Sequence, residues 1–229
     1  MALLTLEGID KRYRQGEVEV HALQAIDLQL AEGEFAALVG PSGSGKTTLL
    51  NIIGGLDAPS SGSVRLNGTE LTQLSESSLS DFRLFQLGFI FQAYNLVPVL
   101  SALENVELVM VLQGRQEREK RERAEHYLQL VGLREQMHRR PSALSGGQQQ
   151  RVAVARALAA GPRLVLADEP TANLDSDNAG ALLDIMHRLS HEDKTTFLFS
   201  THDPRVMERA ERIITLRDGH IVTDEETSH

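Results

Sequence analysis

The sequence predicts an α/β core with a helical block inserted into it. Three observations carry that reading. Apolar strands alternate with helical segments towards both ends of the chain. A glycine-rich loop joins one such strand to a helix. From about Ser101 to Ala160 the strand signals vanish and the pattern is almost wholly helical. At 229 residues the chain is long enough for one large domain with a sizeable insertion and a substantial core.

In order, Leu3 to Asp10 alternates apolar and polar residues, as a half-buried strand does, and Ile26, Leu28 and Leu30 repeat the pattern. Gly33 marks a turn, and Phe35 to Val39 is a continuous apolar strand. The run KTTLLNIIGG reads as a helix stopped at Gly54–Gly55. Ser63 to Leu66 is a strand, closed by the tight-turn pair Asn67–Gly68. A helix over Glu76 to Gln86 and a short strand over Phe89 to Phe91 lead into the helical block. Beyond it come a buried strand (Arg163 to Ala167), an amphipathic helix (Asn178 to Leu189) and an apolar strand (Thr195 to Ser200). Arg212 to Leu216 and Ile221–Val222, around Arg217-Asp218-Gly219-His220, form a closing hairpin.

Composition excludes several classes. There is no cysteine, hence no disulfide framework and no thiolate metal site. A net charge of −9 argues against general nucleic-acid binding, so a phosphate ligand must be held by local geometry. The start MALLTLEGIDKRYR lacks the basic flank and apolar run of a signal peptide. The longest apolar run, Val97 to Leu112, is broken by Glu104 and Glu107 and is too short to span a bilayer. The chain reads as soluble, with any membrane role supplied by a partner. The mixed-charge run Arg115 to Glu125 reads as a solvated helix face, with Glu117/Arg121 and Glu119/Arg123 spaced to pair.

Three motifs carry chemistry. Residues 40–47, GPSGSGKT, lie between a predicted strand and a predicted helix. The glycines let successive N–H groups point inward, and the helix start adds its positive dipole end. Lys46 is placed to reach β- and γ-phosphates, and Thr47 offers a hydroxyl to Mg²⁺. In LVLADEP (164–170) an apolar strand ends at Asp168, which suits a Mg²⁺ ligand, followed by Glu169, which suits a base for an attacking water. LSGGQ (144–148) opens a helix with a hydroxyl and bare N–H groups, a second anion-binding tip. Two phosphate-binding elements serve one nucleotide only if they meet across an interface.

With these motifs in this order, the sequence resembles the ABC ATPase family from Leu3 to about Val222. The resemblance implies a P-loop NTPase core, a mixed sheet flanked by helices with an antiparallel β part. That core would span about 1–92 and 161–229, with an α-helical subdomain at about 93–160 carrying the signature. It implies ATP and Mg²⁺ as ligands and ATP hydrolysis as the activity. The partners it implies are a second copy in a head-to-tail ATP sandwich and an integral-membrane permease with a coupling helix. The location would be the cytoplasmic face of a bacterial inner membrane.

The same resemblance assigns residues. Adenine stacks on Tyr13; the phosphates sit among Gly40, Pro41, Ser42, Gly43, Ser44, Gly45, Lys46, Thr47 and Thr48; Ser145, Gly146, Gly147 and Gln148 come from the other copy. Thr47, Gln92 and Asp168 hold the metal, Glu169, His202 and Lys46 serve catalysis, and Asn173, Leu174 and Asp175 cross the dimer interface. GGLDAPSSG, FIFQAYNLVPVLSALENV and LVLADEPTANLD look most like the lipoprotein-releasing (LolD) and macrolide-exporter (MacB) group. Ala172 departs from the usual glycine, but it is small and its neighbours Thr171 and Asn173 remain. The short acidic tail after Val222 leads us to expect no added regulatory domain. A non-transport regulator resembling FtsE, or an ABC ATPase acting on ribosomes or DNA, are the competing readings. The apolar segment Tyr94, Leu96, Val97, Val99 and Leu100 either lines a groove for a permease helix or packs inside the helical block.

Overall fold

The computed structural model describes residues 2–16, 18–172 and 174–227. Two long strands, β1 (Ala2–Gln15) and β2 (Val18–Ala31), open the chain, followed by β3 (Phe35–Val39) and α1 (Lys46–Ile53). Then come β4 (Ser61–Leu66), β5 (Thr69–Glu70), α2 (Glu76–Gln86) and β6 (Leu87–Ile90). The helical block holds α3 (Ala102–Leu112), α4 (Glu117–Leu130) and α5 (Gly146–Ala159). The chain closes with β7 (Leu164–Asp168), α6 (Ser176–Asp193), β8 (Thr196–Thr201), a short α7 (Pro204–Met207), β9 (Arg212–Arg217) and β10 (His220–Glu226).

Two sheets result. An antiparallel sheet runs β2-β1-β4-β5, and a mixed sheet runs β10-β9-β3-β8-β7-β6, parallel except for the β9/β10 hairpin. Strict alternation along the mixed sheet sends side chains to two cores. Phe35, Ala37, Val39, Val165, Ala167, Phe197 and Phe199 face the helical block and α6. Ala36, Leu38, Leu164, Leu166, Leu198, Ile214 and Leu216 face the antiparallel sheet and α1. The mixed sheet is covered on both faces, which is why its strands are continuous apolar runs.

The helical block packs on that sheet through α3 (Leu103, Val106, Met110), α4 (Ala124, Tyr127, Leu128) and most of α5. Ser101 and Glu104 form a reciprocal cap at the start of α3. Just behind it, Asn105 is fully buried and fastens the preceding turn: it accepts from the Val97 N–H at 2.7 Å and donates to the carbonyls of Val97, Leu100 and Ser101. Tyr127 ties α4 to the end of α6 by donating to Asp193 at 2.9 Å; burial, reinforced by that carboxylate, pushes its hydroxyl up to about 12. No described helix is long and apolar enough to cross a membrane.

The structure differs from the sequence reading in three places. The first strand continues to Gln15 because β2 pairs with it in a hairpin, through register shifts that absorb the irregular apolar spacing. The acidic tail after Val222 is ordered strand as far as Glu226, held by pairing with β9 and by Arg212, which grips Asp224 at 2.6 Å. On α4 the pairs run the other way from those expected. Arg115, Arg118 and Arg121 reach forward to Glu119, Glu122 and Glu125, and Glu117 takes Lys120. Arg123 instead donates to the Ala159 carbonyl.

Asn105→Ala leaves the Val97 N–H and the Leu100 carbonyl without their side-chain partner, while the Val97 and Ser101 carbonyls keep a backbone donor, at roughly 1–3 kcal/mol for the first group lost. The expected result is a melting midpoint lower by roughly 5–10 °C, read by calorimetry, with α-helical circular dichroism retained at room temperature.

Candidate functional site

The glycine-rich loop runs between β3 and α1, wedged where the two sheets meet. A Cβ on Gly40 would stand 2.1 Å from the Leu216 carbonyl oxygen, and one on Gly45 would stand 2.5 Å from that of Ala22. Neither position tolerates a side chain. The loop is closed by Ser44 N–H donating to Pro41 O at 3.2 Å and Gly219 N–H donating to Ser44 O at 3.1 Å. Helix α1 is preceded by Gly45, which offers no side-chain cap, so its first N–H groups and its dipole face the loop. Lys46 lies across the loop, its Nζ donating to Gly40 O at 2.8 Å and Pro41 O at 3.1 Å. The Thr47 hydroxyl faces the Asp168 carboxylate at 3.3 Å.

Opposite, β7 and β8 end side by side, Asp168 in register with Ser200. Glu169 then turns into the left-handed region at φ 49° while its N–H donates to Ser200 O at 2.9 Å. For a non-glycine residue that conformation costs on the order of 1–3 kcal/mol. It swings the carboxylate off the strand to meet His202, whose Nδ1 lies 2.7 Å from Glu169 Oε1. The His202 ring is otherwise mostly exposed, at 76%. Ser200 Oγ is buried at the same place without a protein partner.

Two further bonds brace this edge. Gln150 of α5 donates to Pro170 O at 2.7 Å, and Thr171 donates to Asp203 Oδ2 at 2.8 Å. Arg205 clasps Asp203 and, with the Arg205 N–H and Thr171, overcomes burial to bring its carboxyl down to about 2.

Together these elements enclose a cleft of 710 Å³. It gathers Gly40, Pro41, Ser42, Gly43, Gly45, Lys46, Thr47, Thr48, Gln92, Asp168, Glu169 and His202. Ser44 lies beneath, its hydroxyl buried and without a protein partner. Val20, His21 and Ala22 of β2, and Ser200, also line the cleft, and none was singled out in the sequence. The one signal was Val20, a large apolar residue left 46% exposed on a strand.

Tyr13 does not line the cleft. It stands next to it, paired in register with Val20, with its hydroxyl on Asp57 at 2.7 Å and the Lys11 ammonium 4.8 Å from its ring centre. Burial, then Asp57, raises the Tyr13 hydroxyl above its usual value. Burial also works to raise the Asp57 carboxyl, but hydrogen bonds from Lys11 and Tyr13 outweigh it and hold the group below its usual range.

Ser145, Gly146, Gly147 and Gln148 are likewise outside the cleft lining. They form the capped tip of α5: Ser145 Oγ accepts from the Gln148 N–H at 3.3 Å, and Gln148 Oε1 accepts from the Ser145 N–H at 3.0 Å. Leu174 stands against Gly147, where an added Cβ would meet it at an ordinary 3.5 Å. Asp175 caps α6 by accepting from the Asn178 N–H, which lowers its carboxyl. Asn173 lies outside the described residues.

The segment after Gln92 is partly packed and partly exposed, with Val99 left 69% exposed. Leu96 joins the main core, Val97 and Leu100 are tied to Asn105, and Arg156 bonds the carbonyls of Tyr94 and Asn95. Beside it lies a separate apolar groove of 430 Å³, whose walls include Leu56, Leu84, Phe89, Phe91, Leu108 and Leu112. Of residues 94–100 only Asn95 reaches that groove.

A family model described as ABC transporter matches residues 23–172. The lipoprotein-releasing system ATP-binding protein LolD of Anaeromyxobacter dehalogenans is 48% identical over 220 residues, covering 96% of this chain and 92% of that protein. The macrolide export ATP-binding/permease protein MacB of Azoarcus sp. is 49% identical over 222 residues, which is 97% of this chain but 34% of that protein. The chain therefore spans about a third of the MacB relatives and nearly all of the LolD relative. A solved dimeric ATP-binding cassette in a post-hydrolysis state, bound to ADP and Pi, superimposes with a TM-score of 0.91 at 41% identity over 99% of both chains. A second dimeric structure, of a bacterial ABC transporter cassette, gives 0.92 at 42% identity, again over 99% of both.

Gly45→Ala is expected to abolish nucleotide binding, measured by calorimetric titration, because the loop must shift away from Ala22. The lowered carboxyl of Asp203 contributes stability that is full above the ordinary value of 3.8 and is lost as pH falls towards about 2. The gap in urea midpoint between the native chain and Asp203→Asn should therefore be widest near neutrality and shrink below about pH 4.

Proposed function

The chain belongs to the ABC transporter family of ATP-hydrolysing subunits, and from that premise we propose that it drives lipoprotein or small-molecule export as one half of an ATP-sandwich pair. One observation carries the pairing. The loop residues, Gln92, Asp168, Glu169 and His202 line one cleft, whereas residues 145–148 stand outside it at the tip of α5. The solved relatives described as dimers support it.

In this reading the triphosphate lies along the loop, accepting from its inward N–H groups and the start of α1. Lys46 turns from the Gly40 and Pro41 carbonyls to the β- and γ-oxygens. Thr47, Asp168 and Gln92 form an all-oxygen donor set of the kind that suits a hard cation, so these residues would hold Mg²⁺. That ion, when bound, neutralises charge on the β- and γ-phosphates. Glu169 takes the proton of the attacking water, and His202 fixes the carboxylate through their 2.7 Å bond while its exposed edge faces the γ-phosphate. The adenine rests against the β2 side, by Val20, with Tyr13 at the rim.

The second copy closes the site with its own α5 tip. Ser145 Oγ accepts within its chain, so its proton is free to donate to a phosphate oxygen. A Cβ added at Gly147 would meet nothing outside its own helix closer than Leu174 at 3.5 Å, and without one the bare backbone is open to a neighbour's phosphate. Leu174 stands beside that tip and, with Asp175 at the cap of α6, would share the junction with Asn173. Bond cleavage gives ADP and phosphate, removes the bridging charge and lets the pair open.

The permease is a separate chain or a continuation of this one, as the name of the MacB relatives suggests. Its coupling helix would lie in the apolar groove beside Phe91 and Leu112, placing the chain on the cytoplasmic face of the inner membrane. The names of the LolD and MacB relatives favour transport over a signalling role resembling FtsE.

Glu169→Gln should bind Mg-ATP normally, lose about 10²–10⁴ in turnover, and sediment as a dimer only with Mg-ATP. A variant that stays monomeric at saturating Mg-ATP overturns the shared site.

A further inference from the structure

Away from the phosphate cleft, three side chains converge on one point. His187 and His191 stand one turn apart on the same face of α6, and Glu211 lies at the entry to β9. Their facing atoms are His187 Nε2, His191 Nε2 and Glu211 Oε1. The three separations are 3.3 Å between the imidazoles, 3.5 Å from His187 to the carboxylate and 3.1 Å from His191 to it. Bonds of about 2.0–2.1 Å in a tetrahedral complex set its ligand atoms roughly 3.3–3.4 Å apart. One side of the cluster has that edge length, and the other two depart from it by only a few tenths of an ångström.

The arms are held before any ion arrives. The His187 ring packs edge-on against Phe35, centroids 5.1 Å apart, and its carbonyl accepts from Ser190 at 2.6 Å. Glu211 is fastened through its backbone, its N–H to Phe35 O at 2.9 Å and its carbonyl to Thr227 N–H at 2.8 Å. Asp184, one turn before His187, is occupied by Arg209 at 2.7 Å, so the nearby guanidinium is neutralised.

We propose that His187, His191 and Glu211 form a binding site for a borderline divalent transition ion such as Zn²⁺, with water at the fourth position. Two imidazoles and one carboxylate suit zinc and disfavour Mg²⁺, so the site is chemically distinct from the one beside Asp168. All three ligands are partly exposed, at 38%, 52% and 38%, so the ion exchanges with solvent. Bound, it staples the second half of α6 to the start of β9 and stabilises the fold by mass action.

The test uses the full chain without a histidine tag, stripped with chelator, and ZnCl₂ as titrant in calorimetry without nucleotide. One Zn²⁺ per chain is expected, with the melting midpoint raised by roughly 5–10 °C at a hundredfold excess over Kd and restored by chelator. His191→Ala and Glu211→Gln should each weaken binding by at least ~10–100-fold while their metal-free midpoints stay near that of the native chain. Co²⁺ gives an independent readout: the native chain should show the strong visible absorption of a four-coordinate ion, and His191→Ala should not. Absence of binding to the native chain, a six-coordinate Co²⁺ spectrum, or unchanged stoichiometric binding in the His187→Ala/His191→Ala double variant overturns the site. Should His191→Ala fail to fold, Glu211→Gln and the native Co²⁺ spectrum decide.

Discussion

Backbone meets backbone at Gly40 and Gly45, and the rest of the site depends on that approach. The loop is pinched between Leu216 of the mixed sheet and Ala22 of the antiparallel sheet, where any side chain would collide with a carbonyl. This sets the loop's height above the strand ends, hence the direction of the first N–H groups of α1 and the reach of Lys46 and Thr47. A phosphate cradle built this way is rigid because two sheets, packed face to face on one shared core, hold it between them.

The same sheet that anchors the loop also places the acids. Parallel β7 and β8 end in register, so Asp168 and Glu169 emerge at one level with Ser200 and His202. The strained turn at Glu169 is retained because a backbone bond to Ser200 and a side-chain bond to His202 both depend on it. Strain here points the carboxylate out of the strand and over the cleft instead of back along the sheet.

Much of this was legible in the sequence, for specific reasons. A phosphate loop, an acidic strand end and a glycine helix tip each need particular residue types at short fixed spacing, so they read out locally. The continuous apolar runs at β3, β7 and β8 announced strands buried on both faces. What stayed hidden depends on partners distant in sequence. Val20, His21 and Ala22 enter the cleft only because β2 returns alongside the loop, and Tyr13 is set at its rim by Asp57. The run 94–100 reads as apolar, yet its turn at Val97 and Leu100 is fastened to a single buried Asn105 while Val99 stays exposed. On α4, spacing pointed to Glu117/Arg121 and Glu119/Arg123, but other partners won, with Arg123 drawn to the Ala159 carbonyl and Arg121 to Glu125.

Gln150 joins the helix that carries Ser145 to the backbone just past Glu169. In a head-to-tail pair, that helix tip touches the triphosphate of one site while the strand end works in the other. In the proposed pair, a displacement of α5 on engaging one nucleotide would reach, through this bond of 2.7 Å, the acid poised over the second. Such a link would couple the two centres, and linkage would then require the effect on binding to be mutual.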